Sequence, residues 1–179
     1  AGDNGASAEG GAEGSFNELL NLNGVDATSE MQLSRIDEWG GPSTYPHYAV
    51  GWAHAGNTPF QWTKQVASHL GGTRNAMAMS WPARLKADGR ARAQFHHVVD
   101  IAPTVLDAAG IPMPKSVDGV EQTPMDGVSM LYAAADPTAP ERHTTQYFEM
   151  FGNRAIYHEG WIACARHSNP FVLTNALPP

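Results

Sequence analysis

The run HHVVDIAPTVLDAAGIPMP, residues 96–114, constrains the fold more than any other stretch, because it carries both ends of a short helix. Asp100 or Ala102 stands near the start, and Pro103 fits the first turn, where a missing N–H costs nothing. Gly110 suits the left-handed position that closes a helix. The pattern predicts that Val105 and Leu106 are buried. At 179 residues the chain has room for one ordinary domain with a core around such a helix.

The rest of the chain reads as alternating elements and loops. Residues 1–14 hold five glycines and no large apolar side chain, so they form a loop whose backbone can approach something closely. NELL, after Ser15, reads as one helical turn, and TSEMQLSRIDEW as a helix from Thr28 to Trp39, capped by Thr28 and stopped by Gly40 and Gly41. Met31, Leu33, Ile36 and Trp39 fall near helical spacing and are expected in the core. Residues 40–60 lack periodicity and read as a long ordered loop. NAMAMSW, residues 75–81, reads as a strand ended by Pro82, followed by a polar connection turning at Asp88-Gly89. After a Pro-rich loop over 112–140, TTQYFEMF reads as a strand and RAIYHEGWIACAR as a hairpin turning at His158-Glu159-Gly160. The tail SNPFVLTNALPP has no clear period.

Charge and cysteine content remove several function classes. A net charge of -7 gives no basic face for phosphate backbones, so nucleic acid is not an expected partner. No apolar run approaches the roughly 18 residues of a membrane span. The single cysteine, Cys164, excludes an internal disulfide and a cysteine-rich zinc site, and leaves the compartment unread. Alternation along its hairpin places Cys164 inward as a small core residue.

The residues with chemical potential are few. Asp3-Asn4-Gly5 offers adjacent carboxylate and amide oxygens, a donor pair suited to a hard cation such as Ca2+ or Mg2+, although DNG taken alone is a turn. Lys64 precedes Gly71-Gly72, and such a lysine is ordinarily a solvated surface group. Histidines 47, 54, 69, 96 and 97 lack the spacing of a HExxH zinc helix. No GxSxG elbow, P-loop or GxGxxG is present.

Taken in order, Asp3-Asn4-Gly5, Lys64, Gly71-Gly72, Arg74, Trp81-Pro82 and the Asp100–Gly110 segment resemble the sulfatases, specifically the C-terminal half of a bacterial arylsulfatase of the alkaline phosphatase superfamily. The resemblance spans about residues 1–165. The gap from Lys64 to the glycine pair is one residue longer than in many members, and Leu70 stands where they carry Glu or Gln. No other lysine is near; Lys86 and Lys115 fall in the basic turn and the Pro-rich loop.

The resemblance implies an α/β fold: part of an alkaline-phosphatase-like mixed sheet flanked by helices, followed by a small C-terminal antiparallel sheet. It divides the chain into 1–111, the C-terminal part of the catalytic domain, and 112–179, the start of the smaller subdomain. It implies that Asp3 and Asn4 complete a Ca2+ site, with Mg2+ as the other fitting ion, and that Lys64 contacts a sulfate oxygen near the leaving group. His54, Asn57, Trp62 and His69 are the candidate substrate contacts. The substrate class implied is a small sulfate ester. The family nucleophile is a formylglycine made from the Cys of a CxPxR motif, and no such motif occurs here, Cys164 being followed by Ala165 and Arg166. The expectation is therefore an internal fragment of a longer sulfatase, inactive alone, whose nucleophile lies upstream. The alternatives are a phosphonate monoester hydrolase or phosphodiesterase of the same superfamily, and a non-catalytic chain that keeps the fold.

Overall fold

The computed structural model describes residues 2–86 and 88–167, a mixed α/β chain in which short helices are joined by long connections. The helices are α1 (Glu18–Leu22), α2 (Ser29–Leu33), α3 (Val50–Asn57), α4 (Leu70–Thr73), α5 (Ile101–Ala109) and α6 (Leu131–Ala135). Strands β1 (Ser116–Val117) and β2 (Val120–Glu121) form an antiparallel hairpin. Strands β3 (Thr145–Met150), β4 (Asn153–His158) and β5 (Trp161–Ala165) form a second small antiparallel sheet in the order β3-β4-β5. The chain divides into two compact units, one of Ala1–Met77, Tyr147–Ile156 and the chain from Ala163, the other of Ala78–Gln146 and Tyr157–Ile162. The tail residues 168–179 lie outside the described residues.

In the first unit the glycine-rich start is sewn to residues 45–50. Ser15 and His47 exchange backbone hydrogen bonds, Ser15 N to His47 O at 2.8 Å and His47 N to Ser15 O at 2.7 Å. Gly10 is required by closeness, since a Cβ there would stand 2.3 Å from Tyr48 O. Thr28 caps α2 as its sequence predicts, its hydroxyl accepting from Met31 N at 3.3 Å. The helix ends at Leu33, however, and resumes only as a 3-10 turn over Ile36–Glu38, with Gly40 left-handed at φ 76°. Helical spacing does not carry across that break, so the expected core stripe of Met31, Leu33, Ile36 and Trp39 is exposed. The residue α2 buries is Gln32, whose Nε2 donates to Gly14 O at 2.6 Å.

Residues 40–60 are likewise not a loop throughout, because α3 forms within them despite Gly51 and Gly56. Two glycines cost an isolated helix roughly 2 kcal/mol against alanine, and tertiary packing of one small face supplies the compensation here. That face is Ala53 and Asn57, both buried and one turn apart.

The second unit is organised around α5, which starts and stops where its sequence predicts, with Gly110 at φ 68°. Its buried residue is Thr104; of the expected pair, Leu106 is half-buried and Val105 is 59% exposed. The helix docks its neighbours by hydrogen bonds instead of an apolar stripe. Fully buried Asp100 accepts from His97 N at 2.9 Å, Val128 N at 2.8 Å and His143 Nδ1 at 2.8 Å, with His96 Nδ1 at 3.2 Å. One turn on, Thr104 Oγ1 donates to Asp100 O at 2.6 Å and accepts from Met130 N at 2.8 Å. Burial alone would raise the Asp100 carboxyl, but the His97, Val128 and His143 donors outweigh it and hold it below the usual carboxylate range.

Asp100→Ala leaves those donors without their acceptor and should lower unfolding free energy by about 3 kcal/mol. Because the folded carboxyl titrates below its unfolded value of about 3.9, its contribution is complete above that pH and is lost as pH falls through the lower folded value. Thermal melts of wild type and Asp100→Ala should therefore converge as pH falls from 5 toward about 2; a gap that persists undiminished would contradict this account.

Residues 75–81 do not form the expected strand. A strand requires a neighbour to share its ladder, and among the described residues this segment has none; Met77 and Met79 are both exposed. The Pro-rich stretch contains the β1–β2 hairpin and α6. The β4–β5 turn falls where expected, with Glu159 at φ 45° and Gly160 at φ 88°, the pair of positive angles that a two-residue hairpin turn demands. Strand β5 is exposed along its length, so Cys164 is an exposed free thiol and not a core residue.

Candidate functional site

All the site geometry lies in the first unit and starts from three glycines. Gly5 N donates to Gly72 O at 2.9 Å, and a Cβ on Gly5 would stand 1.7 Å from Gly71 O. A Cβ on Gly71 would lie 2.0 Å from Trp62 O, and one on Gly72 would lie 2.3 Å from Val66 O. No side chain fits at those separations, so the DNG turn and the glycine pair are in backbone contact only because all three residues lack one. The next residue extends the seam: Ala6 O accepts from Lys64 N at 3.0 Å, and Ala6 N donates to Asn57 Oδ1 at 2.9 Å.

Lys64 is thereby anchored by its backbone beside the DNG turn. It is bracketed by two non-glycine residues in the left-handed region, Trp62 at φ 69° and Gln65 at φ 77°. Such conformations cost about 1–3 kcal/mol each and persist where the surroundings over-determine them. The Lys64 Nζ donates to Glu9 Oε2 at 2.9 Å. The same carboxylate accepts from Gln65 Nε2 at 2.6 Å on Oε1 and from Ser7 Oγ at 2.8 Å on Oε2. Burial pushes the Glu9 carboxyl up, but the Lys64, Ser7 and Gln65 donors outweigh it and keep its pKa below the ordinary value.

A model of the family described as Sulfatase matches residues 1–111, which include the whole of this seam. The chain belongs to the sulfatase family. Among its relatives is an arylsulfatase of Klebsiella aerogenes, 31% identical over 94 residues, a match covering 52% of this chain and 20% of that protein. The chain thus spans about a fifth of the length of the curated relative it matches.

In this sulfatase chain Asp3 and Asn4 are exposed, with Asn4 Nδ2 donating to Asp3 Oδ1 at 3.0 Å. Their oxygens are the right donor type for a hard cation, but two residues fall short of the six to eight ligands Ca2+ takes. Among the described residues no group of three or more His, Cys, Asp or Glu could hold a metal ion.

The other candidates fall into place unevenly. Asn57 is buried and has both ends of its amide engaged by backbone, Oδ1 by Ala6 N and Nδ2 by Trp62 O at 3.0 Å. It is the brace that joins the DNG side to the lysine loop. His69 has Nδ1 2.8 Å from Ser68 Oγ, and its ring leans on Trp62 with centroids 6.0 Å apart. Arg166 lies over the Trp62 ring, its guanidinium 4.6 Å from the ring centre. Burial and then the Arg166 charge push the His69 imidazole below its usual pKa, favouring the neutral ring. His54 sits on the exposed side of α3.

Sequence reading missed Glu9 and Arg166. Glu9 carried a weak signal as a carboxylate embedded among glycines in SAEGG, but its partner Lys64 is 55 residues away along the chain.

Proposed function

We propose that this chain supplies part of the metal and sulfate site of a sulfuric ester hydrolase of the arylsulfatase type, acting on a small-molecule sulfate ester. The observation that carries this reading is the seam itself. Two backbone hydrogen bonds, Gly5 N to Gly72 O and Lys64 N to Ala6 O, hold an exposed oxygen pair and a lysine on one strained turn system.

Asp3 and Asn4 would hold Ca2+, or Mg2+ in its place; an Asp-Asn pair keeps ligation to oxygen, where a histidine beside the aspartate would favour zinc. Bound there, the cation supplies Lewis-acid polarisation of a sulfate oxygen. Lys64 neutralises charge on a sulfate oxygen near the leaving group, as a compact cation with rotatable donors. Neutral His69 and the half-buried Trp62 face form the candidate boundary for the ester's organic group, with exposed His54 the weaker contact; Asn57, its amide engaged at both ends by backbone, braces the site and does not contact the ester. The larger alkaline-phosphatase-like sheet, and division of the chain at about residue 111, belong to this same reading.

The nucleophile, formylglycine by resemblance, is assigned to protein outside these 179 residues, and the isolated chain should be inactive.

The test is turnover of p-nitrophenyl sulfate and p-nitrophenyl phosphate by the full-length protein, with and without a chelator. Sulfate ester hydrolysis should dominate, vanish on chelation and return with Ca2+, and Asp3→Ala should raise the Ca2+ needed for half-activity by at least about tenfold. Preference for the phosphate or a phosphonate ester would transfer the chain to the alternative hydrolase class. Indifference to chelation would remove the metal role.

A further inference from the structure

We propose that Glu9 is the positioning residue for Lys64, fixing where its ammonium group meets the substrate. This inference rests on the reading of Lys64 as a sulfate contact.

A lysine side chain has four rotatable bonds, and a mobile ammonium must be ordered before it can stabilise developing charge. Here the ordering element is Glu9. Glu9 Oε2 receives Lys64 Nζ at 2.9 Å, with both side chains partly shielded from solvent at 35% and 23% exposure. A partly shielded pair of this kind adds about 1 kcal/mol or less to stability, and what it gives the site is a fixed position for the ammonium group.

Glu9 is itself held by Ser7 and Gln65. Ser7 Oγ shares Oε2, Gln65 Nε2 takes Oε1, and Glu9 N donates back to Ser7 Oγ at 3.2 Å. The Gln65 contact links the carboxylate to the left-handed residue immediately after Lys64, so backbone and ammonium are fixed by one group. Ser7 N in turn donates to Tyr48 Oη at 3.2 Å, which ties the Ser7–Glu9 turn to the segment before α3.

Only a carboxylate serves all of these partners. It is acceptor-only on both oxygens, whereas a glutamine offers one acceptor oxygen and would set its own NH2 against either Lys64 Nζ or Gln65 Nε2. Glu9→Gln therefore keeps the size of the side chain while releasing the lysine.

The experiment is a double-mutant cycle in the full-length, Ca2+-loaded protein, using aryl sulfates whose leaving groups differ in pKa. Glu9→Gln should lower kcat about tenfold, most for the poorest leaving group, with KM changed less. In the Lys64→Ala background Glu9→Gln should change kcat by less than about twofold, because the group it positions is gone. Glu9→Asp, which keeps the charge on a shorter stem, should recover part of the loss.

A second measurement does not need turnover. Acetic anhydride labelling of Lys64, followed by peptide mass spectrometry, should be several-fold faster in Glu9→Gln than in wild type. Equal labelling rates, or additive effects of the two substitutions, overturn the positioning role while leaving Lys64 as a sulfate contact. A harmless Lys64→Ala would instead overturn the reading beneath it, and the positioning role with it.

Discussion

Lys64→Ala in the full-length protein should lower kcat on an aryl sulfate by about 10²-fold or more while leaving the fold nearly as stable as wild type. The asymmetry follows from where the charge sits. Its partner Glu9 is only partly shielded, so breaking the pair costs about 1 kcal/mol or less of stability. The same ammonium facing a sulfate oxygen on which charge develops is worth several times more in the transition state. Lys64→Arg should recover little of the activity, because a planar fork cannot occupy the position of a point donor seated on Glu9 Oε2. Steady-state kinetics and denaturant unfolding on the same preparations check both halves. Activity within about threefold of wild type would remove Lys64 from the sulfate site.

The second large effect should come from Gly5→Ala, a change of one methyl group. Its Cβ would stand 1.7 Å from Gly71 O, so one of two backbones has to retreat and the Gly5 N to Gly72 O hydrogen bond is stretched or lost. Overpacking against backbone, with no side chain able to swing aside, should cost about 3 kcal/mol. It also moves Asp3 and Asn4 away from the lysine loop, so loss of activity and weakened Ca2+ response should exceed what partial unfolding explains. Gly24→Ala is the comparison: it is left-handed at φ 73° but has nothing within 4 Å of a built Cβ. It should cost only the conformational penalty, about 1–2 kcal/mol, with normal activity once folded. Equal behaviour of the two variants would mean that the close approach at Gly5 does not hold the site.

These contrasts explain what could be read from the sequence. Helix α5 was legible because both of its ends are written locally, Pro103 in the first turn and Gly110 at the stop. The β4–β5 turn was legible for the same reason, in Glu159-Gly160. The core was not. Met31, Leu33, Ile36 and Trp39 have helical spacing, yet α2 ends at Leu33 and the spacing loses its meaning beyond it. Residues 75–81 are a short apolar run closed by Pro82, but have no ladder partner among the described residues.

At the site, the DNG turn, Lys64 and Gly71-Gly72 could be named from their order along the chain, and the family match covers all of them. What could not be named was the pairing of Glu9 with Lys64, or Asn57 as a brace, since both depend on contacts more than 50 residues apart, at separations of 55 and 51. Local pattern carries no information about such partners. The family resemblance supplied order along the chain, and the structure supplies adjacency.

The hydrogen bond from Lys64 N to Ala6 O has a consequence for how such a chain can diversify. It pins together the two ends of a long excursion, residues 7–63, and the entropic cost of closing such a loop rises only about 0.6 kcal/mol for each doubling of its length. Apart from Ser7, Glu9, Tyr48, α3 with its Asn57, and residues 61–63, which hold the seam, the excursion can lengthen, shorten or exchange its elements with little penalty at its base. Natural variation in substrate preference among close homologues should therefore concentrate in α1, α2 and their connections, while residues 3–6 and 61–72 keep their length.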